Sequence, residues 1–202
     1  MRTGLALVAC LAAGTLATSA FAATALTFTS FSPNGTATAS TRGYTFDVLA
    51  EGGVTVSALS FFDENGDGLG DSHDIGIWNA AGALLASATV PSGTAAPLDE
   101  TGMFRMVDIP DIVLPLGTGY RVGATFLVGS PDHQAETSSP TTIPEIAYIG
   151  GAFVNNGLPD LTFPSTDFSQ TLVGGNFSAT VPEPASLGLI GAVGLLLLRR
   201  SR

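Results

Sequence analysis

The segment Asp63-Glu64-Asn65-Gly66-Asp67-Gly68-Leu69-Gly70-Asp71-Ser72-His73-Asp74 holds the side chains of this sequence best suited to a cation. Counted from Asp63, the oxygen-bearing residues Asp63, Asn65, Asp67, Asp71 and Asp74 stand at positions 1, 3, 5, 9 and 12. Gly68 stands at position 6, and Leu69 at position 7 would offer its main-chain carbonyl. This is the ligand schedule of a calcium loop, in which alternate residues face the ion and a glycine permits the sharp bend. Four aspartates in one loop repel one another, and a divalent cation relieves that cost. Two features depart from the schedule: Asp74 is shorter than the usual bidentate glutamate, and the flanks read as strands instead of helices. The other reading takes Asn65-Gly66 and Asp67-Gly68 as turn dipeptides of a hairpin whose acids are solvated and keep an edge soluble. Bound calcium would be structural here, tying stability to calcium concentration by mass action.

Nucleophilic chemistry has less support. Gly70-Asp71-Ser72 is similar to the nucleophile block of one lipase and esterase class, but His73 replaces an expected apolar residue and no later Asp-x-x-His follows. A Ser-His-Asp triad would have to use His73 or His133, both read as exposed loop residues. The sequence has no Gly-x-Ser-x-Gly, no His-Glu-x-x-His and no phosphate-cradling glycine loop. Paired carboxylates for glycoside hydrolysis are defined by distance in space, which spacing along the chain does not give. The expectation is a non-catalytic protein with calcium as its one cofactor.

The elements that must position the acidic loop read as strands. Apolar and polar residues alternate over 25–31, 44–49, 54–62, 75–78, 84–90, 104–110, 120–128, 146–149 and 172–181, and each run is bounded by turn residues. This pattern predicts an all-β fold, an antiparallel β-sandwich or jelly roll. The inward set is Phe28, Tyr44, Phe46, Val54, Val56, Leu59, Phe61, Ile75, Ile77, Leu85, Tyr120, Val122 and Phe126. Trp78 reads as core in preference to a sugar platform. Segments 129–143 and 154–167 read as exposed loops.

Between Ala23 and Val181, sixteen acidic residues face only Arg42, Arg105 and Arg121, a net charge of about −13. Such a body does not hold a phosphate backbone, so no nucleic-acid partner is expected. Cys10 is the sole cysteine and lies in the N-terminal apolar run, which leaves the body without thiol or disulfide. Arg2, an apolar run over 5–16 and Ala20-Phe21-Ala22 follow the pattern of a secretory signal peptide cleaved after Ala22. At the other end, Pro182-Glu183-Pro184 precedes an apolar run over 186–198 and then Arg199-Arg200-Ser201-Arg202. Prolines favour an extended segment shaped for a peptidase cleft, and terminal arginines hold a following helix to the cytoplasmic side. A helix over 185–198 would rise about 21 Å, short of the roughly 30 Å hydrocarbon core, which suits a transient anchor. The expected organisation is a signal helix over 1–22, a β-sandwich over 23–180 and a membrane-sorting helix within 181–202.

This tail resembles that of proteins with a PEP-CTERM sorting signal, in which a Pro-Glu-Pro box, a membrane segment and an arginine-rich end are recognised by an exosortase. Pro182, Glu183 and Pro184 match the box, while Arg199 and Arg200 match the basic end. The same tail also goes under the description of an ice-binding protein C-terminal region, a resemblance confined to the tail. The resemblance implies export, a transient stay at the inner membrane, tail removal, and delivery to the cell surface or extracellular matrix. Signal peptidase and exosortase are the implied partners, with extracellular polysaccharide as a further one. Segment 54–90, with Val107 and Gly119-Tyr120-Arg121-Val122, resembles a bacterial extracellular domain of unknown function, a resemblance that implies a sandwich and offers no catalytic residues to carry over. A secreted carbohydrate-binding module is the second reading, on Tyr148, Phe153, Phe163 and Phe168, and a small secreted hydrolase the third. Asn34-Gly35-Thr36 and Asn176-Phe177-Ser178 match glycosylation acceptors.

Overall fold

The computed structural model describes residues 22–35 and 37–180. Ala22 is exposed. The signal helix expected before it and the sorting elements Pro182, Glu183, Pro184, Arg199 and Arg200 lie outside the described residues. The body from 22 to 180 is all-β. In chain order its strands are β1 (Ala23–Thr24), β2 (Leu26–Thr27), β3 (Ser32–Asn34), β4 (Ser40–Val48), β5 (Val54–Phe62), β6 (His73–Trp78), β7 (Leu84–Val90) and β8 (Phe104–Leu114). There follow β9 (Gly117–Phe126), β10 (Gln134–Thr137), β11 (Thr141–Thr142), β12 (Ile146–Val154), β13 (Thr166–Phe168), β14 (Thr171–Val173) and β15 (Gly175–Thr180).

Two antiparallel sheets dominate. One has the order β1-β15-β5-β8 and the other β13-β12-β4-β9-β6-β7, with β14-β10-β3 and β11-β2 as smaller sheets. β1 runs antiparallel to β15, pairing Ala23 with Ala179 and Thr24 with Ser178. Side chains alternate across a strand, so Tyr44, Phe46 and Val48 of β4 enter the core together, as do His73, Ile75 and Ile77 of β6. Phe46 meets Phe177 at 5.0 Å between ring centroids, and Phe61 meets Phe126 at 5.3 Å, so each pair joins one large sheet to the other. A second aromatic group, Phe28, Phe62 and Phe104, packs edge to face. Each fully buried ring contributes about 1.5–3 kcal/mol, and with no cysteine in the body this packing holds the sheets together.

Twelve of the thirteen residues read as inward are buried; Leu85 is the exception at 38% exposure. β7 is the edge strand of the six-stranded sheet, and Leu84 is likewise 50% exposed. Alternation on an edge strand does not report burial when little covers that strand. Trp78 is buried, but on the face opposite Ile75 and Ile77. There its ring lies over Gly76 and against Phe163, at 6.2 Å between centroids, beneath the segment read as an open loop. A Cβ on Gly76 would stand 2.7 Å from the Trp78 ring, so glycine makes the seat. Segments 129–143 and 154–167 carry the short strands β10 and β11 and the start of β13. Asn176 is fully buried between the Tyr44 hydroxyl, which donates to its Oδ1 at 2.8 Å, and the Leu26 carbonyl, which accepts from its Nδ2 at 2.7 Å. It is closed to a glycosylating enzyme.

Candidate functional site

The acidic loop leaves β5 at Asp63 and returns at His73, where β6 begins. Asp63 is turned inward and is 4% exposed. Its Oδ1 accepts from the Gly66 amide and its Oδ2 from the Gly68 amide, each at 3.1 Å, and the Arg105 Nε donates to Oδ2 at 2.6 Å. Gly66 and Gly68 have positive φ, +69° and +115°, which only glycine adopts without strain, and a Cβ on Gly68 would also crowd Gly93. The loop thus wraps its first carboxylate with its own amides.

Arg105 supplies the balancing charge. It sits in β8 opposite Phe61 and is 4% exposed. Its Nη1 donates to the Ala96 carbonyl at 2.8 Å and its Nη2 to the Gly66 carbonyl at 2.9 Å. A buried ion pair is tolerable only when its remaining donors and acceptors are also satisfied, and here the two loops flanking the pair satisfy them. The arginine takes up the carboxylate that the calcium schedule places first.

The other members of the schedule diverge. Asn65 and Asp67 are exposed, Leu69 is 4% exposed and bridges to Gly93, and Asp71 is half-buried. Asp74 lies within β6, where its Oδ1 accepts from the Thr89 hydroxyl at 2.5 Å. Among the described residues, no three His, Cys, Asp or Glu side chains are gathered as a metal-binding group. An ion at this loop would therefore draw on fewer protein ligands than a closed twelve-residue cage provides.

His73, read as an exposed loop residue, is fully buried. It stacks on Phe61 at 3.6 Å between centroids with the rings 8° from parallel. Its alternation with Ile75 and Ile77 places it there. Nδ1 faces the Thr125 carbonyl at 2.7 Å and Nε2 faces Asp132 Oδ2 at 2.9 Å. A carbonyl oxygen only accepts, so Nδ1 donates to Thr125 and Nε2 is left facing the Asp132 carboxyl. Asp132 also accepts from the amides of Gly70 and Asp71, both at 2.8 Å. Burial alone would raise the Asp132 carboxyl, but the hydrogen bond from His73, the two amides and the His73 charge outweigh it and hold the group below the ordinary aspartate range. Asp132 thereby ties the tip of the acidic loop to the segment before β10. The Ser72 hydroxyl accepts from the Ser92 amide at 3.1 Å, which ties the end of the acidic loop to the turn after β7.

These contacts frame a cleft of about 260 Å³ lined by Asp63, Glu64, Asp67, Asp132 and His133, in which His133 Nδ1 meets Glu64 Oε2 at 3.0 Å. Four of its ten lining residues are acidic and none is a lysine or an arginine. Arg105 and Asp132, which organise the loop, were absent from the sequence-derived site. The signal for Arg105 was its place in an apolar strand of an acidic body with only two other arginines, whereas Asp132 carried no comparable signal.

A second concavity lies on the outer face of the six-stranded sheet, away from the core. It is lined by Thr45 of β4, Arg121 of β9, Ile149 and Gly151 of β12, and Asp167 and Phe168 of β13. Of the aromatics read as sugar platforms, Phe168 borders this cleft, but its ring follows the parity of Gly151 and Tyr44, opposite to Asp167, and packs edge to face with Phe153 at 5.6 Å. Phe163 lies under the Arg121 guanidinium at 5.1 Å. Tyr148 packs against the core beside Tyr44. No family model, curated protein or solved structure matches this chain.

Proposed function

We propose that the protein is an exported, non-catalytic component of the cell surface or extracellular matrix, delivered by an exosortase-type sorting system. The observation that carries this reading is the ordered tail: Pro182-Glu183-Pro184, then an apolar run, then Arg199-Arg200-Ser201-Arg202, in a chain that opens with a signal-like segment. The acidic, disulfide-free body fits a matrix role, because its charge repels like-charged neighbours and keeps it soluble. Within this reading the sandwich is a jelly-roll-like scaffold.

Calcium belongs to the same proposal as a bridge between the exposed acids of the loop, Asp67 above all, and acidic polymers. With Asp63 held by Arg105, the expected result is calcium-dependent retention on an acidic polysaccharide, reduced in Asp67→Ala, with little change in melting temperature. The sorting reading is tested by replacing Pro182, Glu183 and Pro184 with alanine in a bacterium that has an exosortase. The tagged variant should stay in the inner membrane while the native chain reaches the surface; equal surface delivery of both would end the reading.

A further inference from the structure

The outer-face cleft encloses about 510 Å³, within the size range of small-ligand sites, roughly 300–1,000 Å³. Three features of its lining define what it would take. Thr45 is 7% exposed and its Oγ1 has no hydrogen-bond partner among the described residues, although buried hydroxyls are nearly always bonded. Arg121 Nη2 donates to Asp167 Oδ1 at 2.6 Å, so the cleft offers a guanidinium and a carboxylate with no net charge between them. Ile149 is 56% exposed and gives the cleft an apolar side chain beside the polar ones.

Arg121 is also preorganised. Its Nη1 donates to the Pro164 carbonyl and its guanidinium lies over the Phe163 ring at 5.1 Å, so little side-chain freedom remains to be lost on binding. A complementary ligand needs several hydroxyls, an apolar face and no formal charge. An anion would meet Asp167 and the field of a strongly acidic body, while a cation would meet a carboxylate already neutralised by Arg121.

We propose that this cleft binds a neutral pyranose unit of a polysaccharide, with one ligand hydroxyl meeting Thr45, others meeting Arg121 and Asp167, and a C–H face against Ile149. The assignment deepens the matrix reading and rests on it for the source of the sugar; the binding itself is tested separately.

The test uses the full chain purified in a sugar-free zwitterionic detergent and calcium-free buffer. It is titrated by calorimetry with tetrasaccharides of glucose, mannose and galactose and with an oligogalacturonate. Saturable binding of a neutral tetrasaccharide, with none of the oligogalacturonate, is expected. Thr45→Val keeps the shape, removes the hydroxyl and should weaken binding at least tenfold with melting unchanged or raised. Asp167 is an exposed residue, so Asp167→Asn keeps the fold, frees the Arg121 charge, weakens neutral binding and admits the oligogalacturonate. Failure of every neutral tetrasaccharide to bind, or binding unchanged in both variants, overturns the proposal. A chain that is sorted to the surface yet binds no neutral sugar removes the cleft and leaves the sorting reading. A chain that binds but is not sorted does the reverse.

Discussion

Replacing Arg105 with methionine separates a loop held by its own arginine from one held by an external cation. The substitution keeps much of the buried stem volume and removes the guanidinium. Asp63, 4% exposed, then retains the Gly66 and Gly68 amides but loses its charged partner at 2.6 Å. The carbonyls of Ala96 and Gly66 lose charged donors as well. Removing one member of a buried pair costs about 3–5 kcal/mol, a large part of the roughly 5–15 kcal/mol that stabilises a domain. At about 2–4 °C per kcal/mol for a chain of this size, melting should fall by roughly 6–20 °C. The Arg121–Asp167 pair provides the contrast, since the Asp167 side chain is 80% exposed and such pairs are worth about 0–1 kcal/mol. Differential scanning calorimetry of Arg105→Met beside Asp167→Ala measures both. A loss below about 1 kcal/mol in Arg105→Met would refute the argument that this arginine secures the loop.

Two further perturbations test the surrounding architecture. The Asp132 carboxyl is held below its ordinary range, so its stabilising contribution is complete above the unfolded-state value of about 3.9 and is lost as pH falls through the lower folded value. A native chain that loses melting temperature below about pH 4 while Asp132→Asn loses less would match this; parallel profiles would contradict it. Gly76→Ala forces a Cβ to within 2.7 Å of the Trp78 ring and 3.0 Å of Leu161, an overpacking that costs about 1–3 kcal/mol. Trp78 is the sole tryptophan, so a red shift in emission should report its displacement, and an unchanged spectrum would mean the seat is looser than described.

The fold was legible wherever periodicity met coverage on one face. Segments 54–62 and 84–90 are strands with the predicted bounds, because each run is closed at both ends by turn residues. Leu85 shows the limit: alternation names a face, and only tertiary packing decides whether anything lies over it. The short strand β10, Gln134–Thr137, escaped because Gln-Ala-Glu-Thr has no apolar period; it is held by β3 and β14 on either side. His73 was misplaced because a polar residue beside an acidic turn reads as solvent-facing, whereas its parity with Ile75 and Ile77 puts the ring in the core. For the acidic loop, spacing identified the oxygens but not the direction of Asp63. That direction depends on Arg105, forty-two residues downstream, and a pairing at such distance leaves no local pattern.

The pairing of β1 with β15 also has a mechanical consequence. Ala23 lies opposite Ala179 in an antiparallel ladder, so both ends of the body emerge side by side at one edge. A pull applied between them opens that ladder one rung at a time, like a zipper, instead of loading all its hydrogen bonds together in shear. A body tethered through only one end transmits no such tension across the ladder, and drag on it is borne by β15, which is embedded between β1 and β5. Fixing both ends to separate supports would therefore make the two-residue strand β1 the first to peel, at low force, while β15 kept its pairing with β5.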